Sequence, residues 1–322
     1  MKKLQNCLKA LLILLAIILL PGCNKADITK SELDLSIQSE GITPVTIIFR
    51  KEYNDLGPFI ADDLFSVPNG VNIITGSPRL FSNINILYVD DNGKRMYKTE
   101  IVSGANEHPF SIMKLSSGAI LIFSVQSQSE AISLPQSIAI TEVTKTGKVI
   151  NREIIKDESS YMLNEVLSSS TDYFLVFCEK FPPGNRSLSQ VYLFEVNAKL
   201  NIVSKRPISG KNEYINQVIK SSDGISVITG KWQEPRKYII RNFDFTAELK
   251  WQSGFMTSED VRIQEVQKTT DGGYIIIGDA FPYIYSAKLD HKGAVQWENL
   301  YEKSNRLFRK SGYFNAFHII ES

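Results

Sequence analysis

Short apolar runs separated by small polar turns make up most of this chain, and the pattern recurs five times between Phe59 and Tyr301. The most regular copy, residues 262–301, holds four such runs. Val, Ile and aromatic residues favour strands, whereas Gly, Asn and Asp favour the turns that join them. The pattern therefore predicts four short strands in each repeat, which we name A, B, C and D in chain order.

The length of the repeat indicates the fold. Repeats of about 40 to 50 residues with four short strands each are typical of β-propellers, whose blades bury their faces against neighbouring blades. Strand B is apolar almost throughout, as at residues 119–123 and 274–277, and a strand of this kind is covered on both faces. The predicted fold class is all-β, a β-propeller with five recognisable four-stranded blades.

The two ends of this region predict an incomplete sixth blade. Residues 45–53 match the D strand that contains Trp297, and residues 315–322 align with an A strand. Strands B and C of that blade are missing from the sequence. Either the chain ends build a reduced sixth blade together, or the reading frame ends early relative to its relatives, and the sequence leaves both alternatives open.

Glycine marks the hairpin turns of most repeats. It occurs in four of the five A-to-B turns, including those at residues 116–118 and 222–224, and in three of the five C-to-D turns. Tight hairpins need a positive φ, which glycine adopts freely and Asn or Asp tolerate. We therefore expect Gly272 and Gly273 to be structural, with at least one of them at positive φ.

The repeat resembles the DGGY-type propeller repeats of exported Bacteroidota proteins. The match is best at residues 269–274, which read Thr-Thr-Asp-Gly-Gly-Tyr, followed by Gly278, residues 288–293 and Trp297. The resemblance implies a β-propeller in an exported protein. It implies no catalytic residue, because none belongs to the motif.

The N-terminus predicts export and lipid attachment. A basic segment ends at Lys9, an apolar run of eleven residues follows, and Leu-Pro-Gly-Cys then ends at Cys23. Eleven residues are too few to span a bilayer of about 30 Å, so residues 1–22 are predicted to be a signal peptide. The sequence before Cys23 resembles a bacterial lipobox, which implies acylation of the Cys23 thiol. The alternative is an ordinary signal peptide with a chance cysteine.

These predictions divide the chain into three parts. A lipoprotein signal peptide at residues 1–22 is followed by a polar tether at residues 23–44, which has no sustained periodicity. The β-propeller occupies residues 45–322. The predicted location is the bacterial cell envelope, with the outer membrane favoured and the leaflet left open, and the lipid at Cys23 makes the membrane a partner.

Composition excludes some functions. Removal of residues 1–22 deletes three lysines and no acids, so the formal net charge falls from +1 to −2. Near-neutral charge without basic clusters argues against a nucleic-acid partner. Cys178 lies in an apolar run, where a lone cysteine is more often a small buried hydrophobe than a nucleophile.

Reactive groups are sparse in the sequence. His108, His291 and His318 fall in different parts of the repeat, so no metal site is predicted. The acidic pairs at residues 62–63 and 259–260 are interpreted as solvated loop charges, because adjacent residues of an extended segment point to opposite faces. No nucleophile elbow, zinc-protease or phosphate-loop motif occurs. The sequence predicts no catalytic residue and no cofactor.

The B-to-C connections are the best candidates for binding. With the D-to-A connections they lie at one end of the predicted domain, and they contain aromatic and arginine side chains, which are common binding anchors. The predicted binding rim consists of Arg79, Phe81, Phe181, Arg186, Trp232, Arg236, Phe281 and Tyr283. The last four are expected to approach one another. The alternative is that some of the eight merely pack between blades.

The absence of a reactive constellation favours binding over catalysis. The predicted function is that of a non-enzymatic lipoprotein of the cell envelope, which binds or scaffolds a protein or glycan through the loop-rich face of the propeller. One alternative is a propeller enzyme that acts on glycans. Another is a truncated or degenerate propeller that retains no activity.

Overall fold

The computed structural model describes residues 60–302, with gaps at residues 68–69, 77–82, 91, 93, 128–135, 145–146, 171, 233–236 and 258–259. The described residues all belong to one compact unit, Asp55–Ser322. The predicted signal peptide and tether and the segments at 45–53 and 315–322 lie outside them. So do four predicted site residues, Cys23, Arg79, Phe81 and Arg236.

The described residues form twenty strands in five sheets of four. The first sheet contains β1 (Ile60–Val67), β2 (Gly70–Gly76), β3 (Ile84–Asp90) and β4 (Arg95–Ile101), and the second β5 (Asn106–Lys114), β6 (Ile120–Ser127), β7 (Gln136–Val143) and β8 (Val149–Ile155). The third contains β9 (Ser160–Ser170), β10 (Tyr173–Phe181), β11 (Gln190–Asn197) and β12 (Ile202–Lys211). The fourth contains β13 (Glu213–Ser221), β14 (Gly224–Lys231), β15 (Lys237–Phe243) and β16 (Leu249–Met256). The fifth contains β17 (Arg262–Lys268), β18 (Tyr274–Ala280), β19 (Tyr283–Leu289) and β20 (Val295–Glu302).

Every sheet has the same topology. Its four strands are antiparallel and hydrogen-bonded in chain order. The first strands of successive sheets contact one another, from β1 to β5, β9, β13 and then β17. The prediction of an all-β chain built from repeated four-stranded units is confirmed, and the architecture is propeller-like.

Each first strand has a β-bulge at the same position. The extra residue is Asn164 in β9, Asn216 in β13 and Gln264 in β17. A bulge leaves one residue outside the ladder and bends the strand. Because each first strand is also an edge of its sheet, the backbone N–H groups beside the bulge need partners from elsewhere.

Apolar side chains pack in one cluster between each pair of consecutive sheets. Alternate residues of a middle strand face opposite neighbours, so β14 is buried along almost its entire length. Phe123 and Phe174 meet between the second and third sheets, with ring centroids 6.0 Å apart. Each buried side chain of this size contributes about 1.5–3 kcal/mol. These clusters hold consecutive sheets together.

The fifth sheet departs from the expectation for strand B. Tyr274 and Ile276 are buried, but Ile275 and Ile277 are only partly buried. The buried pair belongs to the cluster shared with the fourth sheet. Within the described residues no core cluster lies on the other face of β18. Residues 274–277 were expected to be covered on both faces, but the described residues cover them on one face only.

The C-to-D turns share one backbone structure. In the fifth sheet the Oδ1 atom of Asp290 accepts hydrogen bonds from the backbone N–H groups of Lys292 (2.8 Å) and Ala294 (2.9 Å), and Gly293 has a φ of +80°. Leu200 and Ala247 take the positive φ in the two turns that lack glycine, at a cost of about 1–2 kcal/mol each. These turns keep their structure without glycine because Asn197 and Asp244 accept the same pair of backbone hydrogen bonds as Asp290.

The Asp-Gly-Gly turn of the fifth sheet has a similarly local explanation. Gly272 has a φ of +82°, as the turn analysis predicts. A Cβ atom on Gly273 would lie 2.3 Å from the carbonyl oxygen of Leu289. Asp271 accepts hydrogen bonds from the backbone N–H of Gly273 (2.9 Å) and from Lys288 Nζ (2.7 Å). The motif residues that resemble the DGGY repeats therefore shape the turn.

Cys178 is buried in the cluster between the second and third sheets, and burial raises the pKa of its thiol. No group of three or more His, Cys, Asp or Glu side chains among the described residues is arranged to hold a metal ion. No helix in this part of the chain is long and apolar enough to cross a membrane.

Candidate binding site at the loop end

The sheets have two different ends. The A-to-B and C-to-D turns lie at one end, which we call the turn end, and the B-to-C and D-to-A connections lie at the other, the loop end. At the loop end of the third sheet, the connection between β10 and β11 contains a short 3-10 helix, Arg186–Leu188. The equivalent connection of the fourth sheet begins at Trp232. These two connections contribute the best-defined part of the predicted rim.

The predicted rim residues differ in exposure. Phe181 is buried, with 6% of its surface exposed, so its side chain packs rather than faces solvent. Trp232 is 47% exposed, Tyr283 39% and Phe281 91%. The side chain of Arg186 is 38% exposed. No ring contact among the described residues joins Trp232 to Phe281 or Tyr283.

Trp232 is held by contacts with β13 and with the connection between β10 and β11. Its ring centroid lies 4.6 Å from that of Tyr214 on β13, and its Nε1 donates a hydrogen bond to Ser189 Oγ at 3.2 Å. Its backbone N–H donates to the carbonyl of Asn212 at 3.2 Å. The Arg186 guanidinium lies 5.6 Å from the ring centroid, within cation–π range. A side chain that keeps nearly half its surface exposed is thus held in one orientation.

Arg186 is held in turn by a buried carboxylate. Its Nε and Nη2 atoms donate to the two oxygens of Glu179 at 2.7 and 2.8 Å, and Glu179 is completely buried. This fork geometry is the strongest form of ion pair between side chains. The hydrogen bonds to Glu179 raise the pKa of Arg186 against the opposing effect of burial. The guanidinium therefore stays charged and in place beside Trp232.

Glu179 also joins the third sheet to the fourth. Its Oε1 atom accepts the backbone N–H of Ile215 on β13 at 3.0 Å and the side-chain amide of Asn164 at 3.3 Å. Ile215 directly precedes the bulge of β13, where the edge strand offers an unpaired donor. A buried carboxylate is stable only when it is paired and fully hydrogen-bonded. Glu179 meets that condition with partners from two sheets.

A second buried ion pair lies next to the first. Arg241 on β15 donates to Glu213 at 2.8 Å, and the exposed fractions of the two side chains are 7% and 2%. Thr229 donates to the same carboxylate at 2.8 Å. Ser189 connects the pairs, because its Oγ donates to the Glu213 carbonyl at 2.7 Å and accepts from Trp232. The platform formed by Trp232, Tyr214 and Arg186 therefore rests on a continuous polar network.

This network was not predicted from the sequence, although the repeat contains a signal for it. Glu107 and Glu213 occupy the same position of the repeat, three residues before the bulged residue of the first strand. Glu107 is also completely buried and accepts from Arg152 at 2.6 Å and from Ser124. Arg152 comes from the fourth strand of its sheet, whereas Arg241 comes from the third. The carboxylate therefore recurs at one position of the repeat, whereas the arginine that pairs with it comes from a different strand in each sheet.

The third sheet has a tyrosine at this position and a different cluster. Tyr161 donates to Asp157 and accepts from Lys205 Nζ at 2.8 Å, and Lys180 pairs with Asp157 at 2.6 Å. Burial and Asp157 raise the pKa of Tyr161. Burial alone would raise the pKa of Asp157, but hydrogen bonds from Lys180, Tyr161 and the backbone of Ser159 outweigh it and hold that pKa well below its usual range. Both lysines are committed to this cluster.

No protein-family model and no curated protein sequence matches the chain. Solved structures with some similarity include a puromycin hydrolase, with a TM-score of 0.49 and 13% identity over 72% of this chain and 38% of that chain. A prolyl endopeptidase has a TM-score of 0.47 and 11% identity over 71% of this chain and 33% of that chain. The apocarotenoid oxygenase of Synechocystis has a TM-score of 0.44 and 8% identity over 73% of this chain and 61% of that chain.

The chain therefore spans less than two fifths of the puromycin hydrolase and of the prolyl endopeptidase. At these TM-scores and identities, the similarities carry no information about the chemistry of this chain. The candidate site is defined by its own residues.

Proposed function

We propose that this protein is a non-enzymatic lipoprotein of the cell envelope, which binds a ligand through the loop end of a β-propeller. In this proposal five four-stranded blades and an incomplete sixth blade from the chain ends make up the propeller. The repeated sheets support the fold, and the apolar run before Cys23 supports export and a lipid anchor. Acyl chains at Cys23 would hold the domain at a membrane, since each buried methylene contributes about 0.8 kcal/mol.

The observation that carries the binding role is the fixed, exposed Trp232. Aromatic and arginine side chains dominate binding energies when they are rigid before the ligand arrives, because little conformational entropy is then lost on binding. Trp232 has contacts to Tyr214, Ser189 and Arg186 and remains 47% exposed.

The binding role is tested with Trp232→Ala and the matched control Trp297→Ala. Trp297 is similarly exposed, at 43%, but lies on β20 of the fifth sheet. Both purified variants are compared with the wild type against a panel of immobilised glycans and envelope proteins. We expect Trp232→Ala to weaken the binding of a ligand by about 1 kcal/mol or more while the protein stays folded. Loss of binding in the Trp297 variant alone would contradict the proposed site.

Lipid attachment is tested separately. Labelled palmitate is expected to enter the wild-type protein and to be absent from Cys23→Ala. Equal labelling of the two proteins would contradict the anchor and leave the binding role to be judged by the Trp232 experiment.

A further inference from the structure

We infer that residues 315–322 of this chain dock on the open face of the fifth sheet, as the first strand of the sheet that follows it. The open face is the side turned away from the fourth sheet, and its part next to the first strand consists of Glu265, Ile275 and Ile277. This inference rests on the proposed propeller, and it specifies which segment of the chain covers this surface.

The position of Ile277 shows that cover is missing. Each second strand has an apolar residue directly opposite the first residue after the bulge, and in the first four sheets these residues are Ile74, Phe123, Phe177 and Ile228. All four are 0% exposed and belong to the core cluster shared with the following sheet. Ile277 has the same position but is only partly buried. Within the described residues, the fifth sheet therefore lacks the neighbour that covers this position elsewhere.

Residues 315–322 have the pattern of a first strand. They align without a gap with residues 215–222, most of which belong to β13. They include the large apolar residues Phe317, Ile319 and Ile320. A strand of this composition gains stability when the face of a sheet covers it.

The alignment also indicates which side chains face the fifth sheet. Val218 of β13 packs in the cluster between the third and fourth sheets, and Lys220 Nζ donates to a backbone carbonyl of the third sheet at 2.7 Å. His318 corresponds to Val218, and Ile320 corresponds to Lys220. Because both β13 residues contact the preceding sheet, we expect His318 and Ile320 to contact the open face of the fifth.

The chain between the fifth sheet and this segment is long enough for docking. The first strands of all five sheets begin at the loop end, and β20 ends there at Glu302. Elsewhere one to five residues connect a fourth strand to the next first strand. Residues 303–314 provide twelve, and an extended chain of that length spans about 40 Å. The segment can therefore reach the open face and run in the direction of the other first strands.

An acceptor on the open face matches a contact between the fourth and fifth sheets. Gln217 directly follows the bulge of β13, and its Oε1 accepts the backbone N–H of Val266 on β17 at 2.7 Å. Glu265 directly follows the bulge of β17, and His318 corresponds to Val266 in the alignment. A carboxylate accepts several hydrogen bonds, so Glu265 can accept the His318 backbone N–H as well as the Gln267 amide, which it binds at 3.1 Å. The open face thus offers a docked strand the backbone contact that β17 receives from β13.

Docking is tested through the reactivity of a cysteine on the open face. Ile277→Cys is made in the full chain with Cys7→Ser and Cys23→Ser, so that Cys178 is the remaining native cysteine. Cys178 is buried, and burial raises the pKa of its thiol, so it stays unlabelled while the protein is folded. The rate of labelling by a water-soluble maleimide therefore reports the cover over position 277, and labelling of Cys178 reports unfolding.

The cover is removed with the double variant His318→Asp and Ile320→Asp. Its matched control, Asn305→Asp with Ser311→Asp, adds the same charge to the connection. We expect the first variant to be labelled at least tenfold faster than the unchanged chain, and the control less than twofold faster. A second reporter, Trp297→Cys, is expected to react at the same rate in all three chains, because Trp297 lies on the outer strand and is already 43% exposed.

Equal labelling of Ile277→Cys in all three chains would overturn the docking of residues 315–322. Slow labelling that accelerates on dilution, with a dimer in light scattering, would assign the open face to a second copy of the chain and overturn it as well. If the double variant exposes Cys178, Ile320→Ala replaces it, and labelling at least threefold faster is then expected. None of these outcomes depends on Trp232 or on acylation, so failure here leaves the proposed ligand site and lipid anchor intact.

Discussion

The turn end and the loop end of the sheets differ in how far their residues recur from one sheet to the next. At the turn end, Asp290 and Asp244 bind the backbone in the same way, and Gly293 and Ala247 take the same positive φ. At the loop end, equivalent positions are occupied by glutamate in the second and fourth sheets and by Tyr161 in the third sheet. The turn end repeats from sheet to sheet, whereas the loop end changes.

The difference follows from what each end requires. A tight turn between two strands needs a backbone conformation that few residue types adopt, so the same residue types recur in the turns of each sheet. A polar group buried between sheets needs only a partner of opposite charge or hydrogen-bonding type, which several strands can supply. Arg152 and Arg241 reach equivalent carboxylates from different strands for this reason. Residues of the loop end can therefore change from sheet to sheet without change to the repeated turns.

The largest effect is expected from the more buried ion pair. Arg241→Met keeps most of the side-chain volume but leaves Glu213 buried without its cation. Removal of one partner of a buried pair costs about 3–5 kcal/mol. We expect a loss of this size in the free energy of unfolding measured with urea. A loss below 1 kcal/mol would show that water reaches Glu213 and that the loop end tolerates broken pairs.

A smaller loss is expected for Arg186→Met at the adjacent pair. Glu179 would keep the backbone N–H of Ile215, and the site is open enough for water to replace part of the guanidinium. We expect a cost of about 1–3 kcal/mol in the same urea measurement. Arg186→Lys is the matched control, because it keeps the charge and loses the fork geometry. A larger loss than for Arg241→Met would reverse the proposed order of the two pairs.

Turns that depend on nearby residues could be predicted from the sequence, whereas contacts between sheets could not. The turn residues Gly272 and Asp290 act within a few residues of themselves, so the repeat pattern alone predicted their positions and the four-stranded units. The partners of Glu179 lie on a different sheet, at Ile215, or on an irregular connection, at Arg186. Such contacts depend on packing between sheets, which no local pattern encodes. The sequence therefore indicated Arg186 and Trp232 as candidates, but not the buried carboxylate that holds them.

At the turn end, Gly272→Ala is expected to cost about 1 kcal/mol, because alanine is strained at a φ of +82°. The cost is one of backbone conformation, since an added Cβ would meet its nearest neighbour, the His291 Cβ, at an ordinary distance of 3.6 Å. Gly272→Asn is the control, because asparagine tolerates this conformation. Thermal unfolding of the two variants should place the asparagine variant between wild type and alanine. Equal stability of all three would contradict a conformational role for this glycine.

The smallest effect on stability is expected from the solvent-accessible cluster around Asp157 in the third sheet. Its contribution to the free energy of unfolding depends on pH. The pKa of Asp157 is lower in the folded protein than its unfolded value of about 3.9. Its ionised form therefore stabilises the fold above that pH, and the contribution is lost as pH falls from about 4 toward the lower folded value.

Asp157→Asn removes this contribution at neutral pH. Because the side chain is 32% exposed, solvent screening keeps the effect small. Urea unfolding at about pH 7, 4 and 3 should show a gap between wild type and variant that narrows toward acid. Glu158→Gln is the control, because it removes a carboxylate from the same connection and leaves the contacts of Asp157 in place. A gap that stays constant or widens in acid would mean that Lys180 and Lys205 do not stabilise the ionised form of Asp157, and that the cluster owes its structure to packing around Tyr161 instead.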